Sequence, residues 1–172
     1  MTSVNDIFRD IIGRVSAAYG REIVFQFGDW EYIADVLTTM SKSNKTSSKK
    51  YPIICLYSPY TEEISGKSRV VNLDILIAVN TLKEYTNEQR EQTSFSEVLR
   101  PIYQLLIKEI GKDRRIASNY SGVIPHRKTE NYRYGRKGVD GGDGKPFRDF
   151  IDAIEIGNLE LTIKDLKCYD KV

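Results

Sequence analysis

The sequence predicts a single α+β domain with a mixed or antiparallel sheet and helices packed mainly on one face. The expected order is roughly α-β-α-β-β-α-β, with a long basic loop or arm. Three observations carry this. Several segments place apolar residues at helical spacing, others alternate with period two, and strands follow one another without a helix between them. At 172 residues and 19.7 kDa, the chain has the size of one domain that buries its own core. Hydrophobic residues make up 40% and charged residues 29%, a profile of neither disorder nor a membrane protein.

The first helix is expected over about 3–19. Val4, Ile7, Phe8, Ile11, Ile12 and Val15 form its stripe, Ser3 and Asp6 its capping pair, and Gly20 its end. Glu22 to Phe27 alternates Ile23, Phe25 and Phe27 on one face and reads as a strand that Gly28 breaks. Asp29 then caps a second helix bearing Trp30, Ile33, Ala34, Leu37 and Met40, which gives way to a polar loop from Lys42 to Lys50.

YPIICLYSP, bounded by Pro52 and Pro59, has the length and flanks of a buried strand. Arg69 to Thr81 is a longer one, with Leu73, Ile75, Ile77 and Val79 on its core face and Gly66 as the turn before it. A third helix is read from the Ser94/Glu97 capping pattern through Val98, Leu99, Ile102, Leu105, Leu106 and Ile110 to Gly111. Pro101 lies inside it, so the helix either starts near Glu97 or kinks. From Phe150 onward, Ile154 and Ile156 share one parity, and Leu159, Leu161 and Ile163 the other. The switch at Gly157-Asn158 reads as a β-bulge in one strand or a tight hairpin joining two.

Residues 112–148 carry little periodicity and read as an extended arm within the domain. They hold ten Lys and Arg against four acids, net +6, which leaves −4 for the rest of a chain whose total is +2. Tyr120, Tyr132 and Tyr134 are interleaved with the cations. Three uses compete: a solvated basic loop, an assembly arm whose Tyr and Arg dock on a neighbouring subunit, or a contact to nucleic acid through phosphates and stacked bases. The candidate contact residues are Arg114, Arg115, Arg127, Lys128, Tyr132, Arg133, Tyr134, Arg136 and Lys137.

Catalytic signals are sparse. One histidine and two cysteines do not make a zinc site. His126, in PHRK, has no nucleophile signature near it and reads as a surface histidine, and Cys55 reads as reduced core packing. GVDGGDGKP has neither the phosphate-loop order nor the spacing of a calcium loop. One enzyme reading is worth carrying, a Mg²⁺ nuclease site built from Asp74 with Asp149, Asp152, Glu155 or Glu160. The usual Asp then Glu-x-Lys pattern wants a lysine where Thr162 stands, and solvent-face acids are the plainer reading. MTSVNDIFRD has neither a basic start nor an apolar block, and no run reaches the ~18 apolar residues of a membrane span, so the protein is expected to stay inside the cell that makes it.

Taken together, the N-terminal amphipathic helix, the strand VNLDILIAV, the helix SFSEVLRPIYQLLIKEI, the segment HRKTENYRYG and the closing DFIDAIEIGNLELTIK resemble phage or prophage proteins of the tail-terminator or head–tail joining class, of the kind found near tail genes in Bacteroidetes phages. The resemblance implies a non-enzymatic virion protein assembled in the bacterial host cytoplasm. It would form a homo-oligomeric ring, six- or twelve-fold, against portal, connector or tail proteins, with DNA passing through its lumen. It carries no catalytic residue, metal, cofactor or membrane contact. The alternatives are the metal-dependent nuclease and a DNA-binding accessory protein.

Overall fold

The computed structural model describes residues 2–41, 49–117, 123–134 and 149–164. Helix α1, Val4–Tyr19, starts on the Ser3 side chain, which accepts from the Asp6 amide, and stops at Gly20, whose left-handed φ of 79° lets its N–H reach the Ser16 carbonyl. Strand β1, Val24–Gly28, leads into α2, Trp30–Ser41, where Asp29 Oδ1 accepts from the Tyr32 amide at 2.8 Å. Strands β2 (Ile53–Tyr57), β3 (Thr61–Ser65) and β4 (Ser68–Asn80) follow, with Gly66 at φ 59° in the turn between β3 and β4.

Helix α3 is continuous but not uniform: α-helical Asn87–Arg90, π-helical Glu91–Leu99 and α-helical Arg100–Lys112. It begins seven residues before the expected Ser94 start. A capping box of Thr86 and Gln89 supplies the N-terminus inside a stretch too polar to show a stripe. Pro101 neither begins the helix nor breaks it. It follows the wider π stretch, where the backbone accommodates a residue without an N–H, and the Glu97 carbonyl four residues before it accepts the Tyr19 hydroxyl at 3.4 Å.

Strands β5, Arg127–Tyr134, and β6, Ile151–Lys164, complete one six-stranded sheet in the order β1-β2-β4-β6-β5, with β3 also beside β4. β1 and β2 are parallel and every other pair is antiparallel, so the sheet is mixed. Of the two readings of Gly157-Asn158, the bulge is the one observed. Leu73 faces Leu159 and Ile75 faces Ile156, so β6 carries one extra residue, with Asn158 at φ 54° and its amide on Asp74 Oδ1 at 3.0 Å.

Helices α1 and α3 cover one face of the sheet, packing Phe8, Ile11, Phe95, Ile102 and Leu106 against Ile75, Ile77, Ile154 and Ile156. Helix α2 covers part of the other face, setting Ile33 and Leu37 over Ile53, Cys55, Leu76 and Ala153. Cys55 is fully buried there, and burial pushes its thiol up, away from the reactive thiolate. The α+β class and the predominance of one helical face agree with the sequence.

Two strands were not expected. β3, TEEIS, and β5, RKTENYRY, are largely exposed and polar on both faces, so neither shows the apolar alternation that marks a half-buried strand. β5 lies within the segment read as an unstructured arm. The Gly-rich part of that segment, with Arg136, Lys137 and the GVDGGDGKP motif, lies outside the described residues.

Candidate assembly surface at the sheet edge

β5 pairs with β6 along one side only, leaving the backbone groups of its other side without a strand partner among the described residues. Beyond its end, Ile116 bridges Ile163, and the Ala117 amide donates to the Thr162 carbonyl at 2.8 Å, so the arm hugs β6 on both sides of the bulge. An apolar-poor segment is held here by backbone hydrogen bonds and side-chain charges rather than by burial.

The charges are largely spoken for. Arg100 on α3 forks onto Glu130 of β5, Nε to Oε1 at 2.9 Å and Nη2 to Oε2 at 2.8 Å, and both its Nη1 and Nη2 also donate to Glu91. Lys128 adds a bond to Glu130 at 2.6 Å and lies 4.9 Å above the Tyr103 ring. Tyr132 donates to Glu91 and packs on Phe95, with ring centroids 4.3 Å apart. The Arg100 fork, with Lys128 beside it, holds the Glu130 carboxyl down to about 2, while the Glu91 carboxylate pushes the Tyr132 hydroxyl up to about 12.

A testable consequence concerns acid. Glu130 has a folded pKa below its ordinary 4.5, so the unfolded chain binds its proton first. The stabilisation it gives is complete above about pH 4.5 and is lost as pH falls toward 2. Urea unfolding at about pH 5.5 and about pH 3 should show a smaller stability difference in Glu130→Gln than in the parent. An unchanged difference would remove Glu130 from the account.

Behind the strand lies its anchor. Arg133 adopts φ 60° at an irregularity in the β5 register, and its amide donates to Asp152 Oδ1 at 2.9 Å. Asp152 is fully buried, pairing with Arg90 Nη1 at 3.0 Å and accepting from Ser94 Oγ at 2.8 Å. Arg90, also fully buried, donates further to Thr81 Oγ1, the Leu82 carbonyl and the Tyr85 carbonyl. Ser94 is thus not a helix cap but a ligand of this carboxylate. Asp152 shares parity with Ile154 and Ile156, which face the core; a charge in that parity needs a buried partner, and this was the signal that could have found it.

Of the nine predicted contact residues, seven are described. Arg115 is tied to Asp113 and Asp10, and the Arg115 fork holds the Asp113 carboxyl well below the usual range. Lys128, Tyr132 and Tyr134 are engaged within the chain, Tyr134 edge-on to Trp30 and 3.4 Å from the Tyr57 hydroxyl. Arg114, Arg127 and Arg133 are exposed and make no ion pair among the described residues, with Arg127 lying over the sheet face beside Asp74 and Glu155.

The acids that a nuclease would need are dispersed. Asp149 takes Lys50 and Tyr51, Asp152 takes Arg90, Glu155 takes Asn131, and Asp74 takes the Asn158 amide. Asp152 is a core carboxylate rather than the solvent-face acid expected. Among the described residues, no three His, Cys, Asp or Glu side chains converge. Asp74 and Glu155 do share a groove of about 390 Å³ with Tyr57, Arg127 and Thr129, on the part of the sheet that α2 leaves uncovered. His126 is half-buried rather than free on the surface. Its Nδ1 donates to the Ile124 carbonyl at 2.7 Å, and its Nε2 shares a hydrogen bond with the Tyr103 hydroxyl at 2.8 Å.

Compared with known proteins, the chain matches no family model, no curated protein and no solved structure.

Proposed function

We propose that the chain is a structural subunit of a ring in a virion neck or at the head-proximal end of a tail, with β5 as its principal contact element. The observation that carries the reading is that, among the described residues, the sheet path ends in two unlike edges, β1 on one side and β5 on the other, while β3, also paired along one side only, lies off that path beside β4. Unlike edges cannot satisfy themselves by a two-fold contact of one edge with its own copy without leaving the other bare, whereas a head-to-tail contact uses both and closes by rotation. β5 suits such a contact because internal forks and the Asp152 anchor hold it rigidly, so little ordering is left to oppose association.

The exposed Arg114, which makes no ion pair among the described residues, supports passage of DNA through such a ring, since phosphate contacts hold a duplex without reading its sequence. Copy number and neighbours follow the same proposal: a homo-oligomer joined to portal, connector or tail proteins. No helix among the described residues is long and apolar enough to cross a membrane.

Negative-stain electron microscopy of the purified full chain tests the reading. Closed rings with a central opening wide enough for duplex DNA are expected; fields of isolated 19.7 kDa particles, with and without portal or tail partners, would overturn it.

A further inference from the structure

β1 and β5 lie at the same level of the sheet. β2 pairs with β4 over Ile75 to Ala78, and those residues face Ile156 to Ala153 of β6, the stretch that β5 covers on its far side. β1 runs parallel to β2, and three successive antiparallel pairings separate β2 from β5. β1 and β5 therefore run in opposite directions. A second copy set beside the first by a simple rotation brings β5 of one against β1 of the other as an antiparallel pair, the pairing geometry that short strands make most readily.

The charges agree with that placement. Glu22 just before β1, Asp29 just after it, and Glu31 and Asp35 on the helix that follows are all exposed and make no ion pair among the described residues, against one neighbouring exposed cation, Arg21, whose guanidinium donates to the Tyr51 carbonyl. Arg127 and Arg133, one near each end of β5, are exposed and free of ion pairs in the same sense, although Arg127 also borders the groove that holds Asp74 and Glu155. An acidic edge and a basic edge attract each other, while two like edges repel, which selects head-to-tail over back-to-back contact. Aromatic surface sits at the same places, with Phe27 39% and Tyr32 54% exposed beside β1, and Tyr132 37% exposed on β5.

Resting on the ring reading above, we infer that neighbouring subunits join by adding the basic edge strand β5 of one copy to the acidic edge strand β1 of the next. The sheets then form one continuous belt, with a second copy of this chain as the partner.

The test uses three forms of the full chain, sized by light scattering at one concentration: the parent, Arg127→Glu with Arg133→Glu, and Glu31→Arg with Asp35→Arg. All four positions are exposed, and circular dichroism checks the fold of each variant. The parent is expected to be a multimer and each double variant to lose it, because the first sets acids against acids and the second sets two cations against the basic edge and cancels the charge of the two acids that remain beside β1. Mixing the two variants is expected to restore the multimer, since every interface in an alternating ring is again complementary. Variants that assemble alone as the parent does, or that fail alone and are not rescued by mixing, overturn the β1–β5 contact while the parent's multimer keeps the ring reading standing. A monomeric parent sinks the ring reading itself.

Discussion

Replacing Asp152 by alanine is expected to destabilise the protein by about 3–5 kcal/mol, because it strips a buried guanidinium of the one carboxylate that pairs with it among the described residues. Arg90 and Asp152 are both fully buried, and the pair sits where Thr81, the Leu82 and Tyr85 carbonyls, Ser94 and the Arg133 amide converge. The loss leaves Arg90 charged with neutral acceptors alone, and it orphans the Ser94 hydroxyl and the Arg133 amide as well. For a chain of this size, a loss on that scale lowers the thermal midpoint by roughly 6–20 °C. Chemical denaturation of the parent, Asp152→Ala, Arg90→Ala and the double variant measures it. The double variant should lose less than the sum of the two singles, since it no longer buries an unpaired charge. Strict additivity would mean the two side chains act independently, and the anchor would not exist as described.

The second large effect is expected at Phe95. Its side chain is fully buried in the π stretch, between the sheet and the edge strand, where it packs on the Tyr132 ring and lies under the Arg100 guanidinium at 5.8 Å. Phe95→Ala removes a buried ring and leaves a cavity, at a cost of about 3–5 kcal/mol. The position is distinctive because the ring supports the platform on which Arg100, Glu91 and Glu130 meet. Hydrogen exchange should therefore rise in Arg127–Tyr134 more than in the central strands β4 and β6. Uniformly raised exchange would show that Phe95 supports the core without a particular debt from β5.

What could be read from the residues, and what could not, follows from how each element is held. α1 was legible to its caps because burial of one stripe stabilises it and Ser3 and Gly20 close its ends by local chemistry. The parity switch at Gly157-Asn158 announced the bulge, and the long apolar alternation of Arg69 to Thr81 announced β4. β5 was illegible because its stabilising partners lie elsewhere in the chain. Arg100 is 30 positions from Glu130, and Asp152 is 19 from Arg133, so no local pattern marks the strand. The start of α3 hid for a related reason, since Thr86 and Gln89 cap a turn whose one buried side chain, Arg90, reads as surface until its carboxylate is known. The candidate contact residues stand out as a group by composition, but which of those described are free of ion pairs and which are committed internally depends on those same distant partners.

The central claim is that this chain assembles head to tail through strands β1 and β5, and light scattering of the purified full chain across a concentration series tests it most directly. The account predicts a mass that rises to a plateau at a fixed multiple of 19.7 kDa, the behaviour of a contact that closes. A mass of one chain at every concentration, alone and with portal or tail partners present, would contradict it.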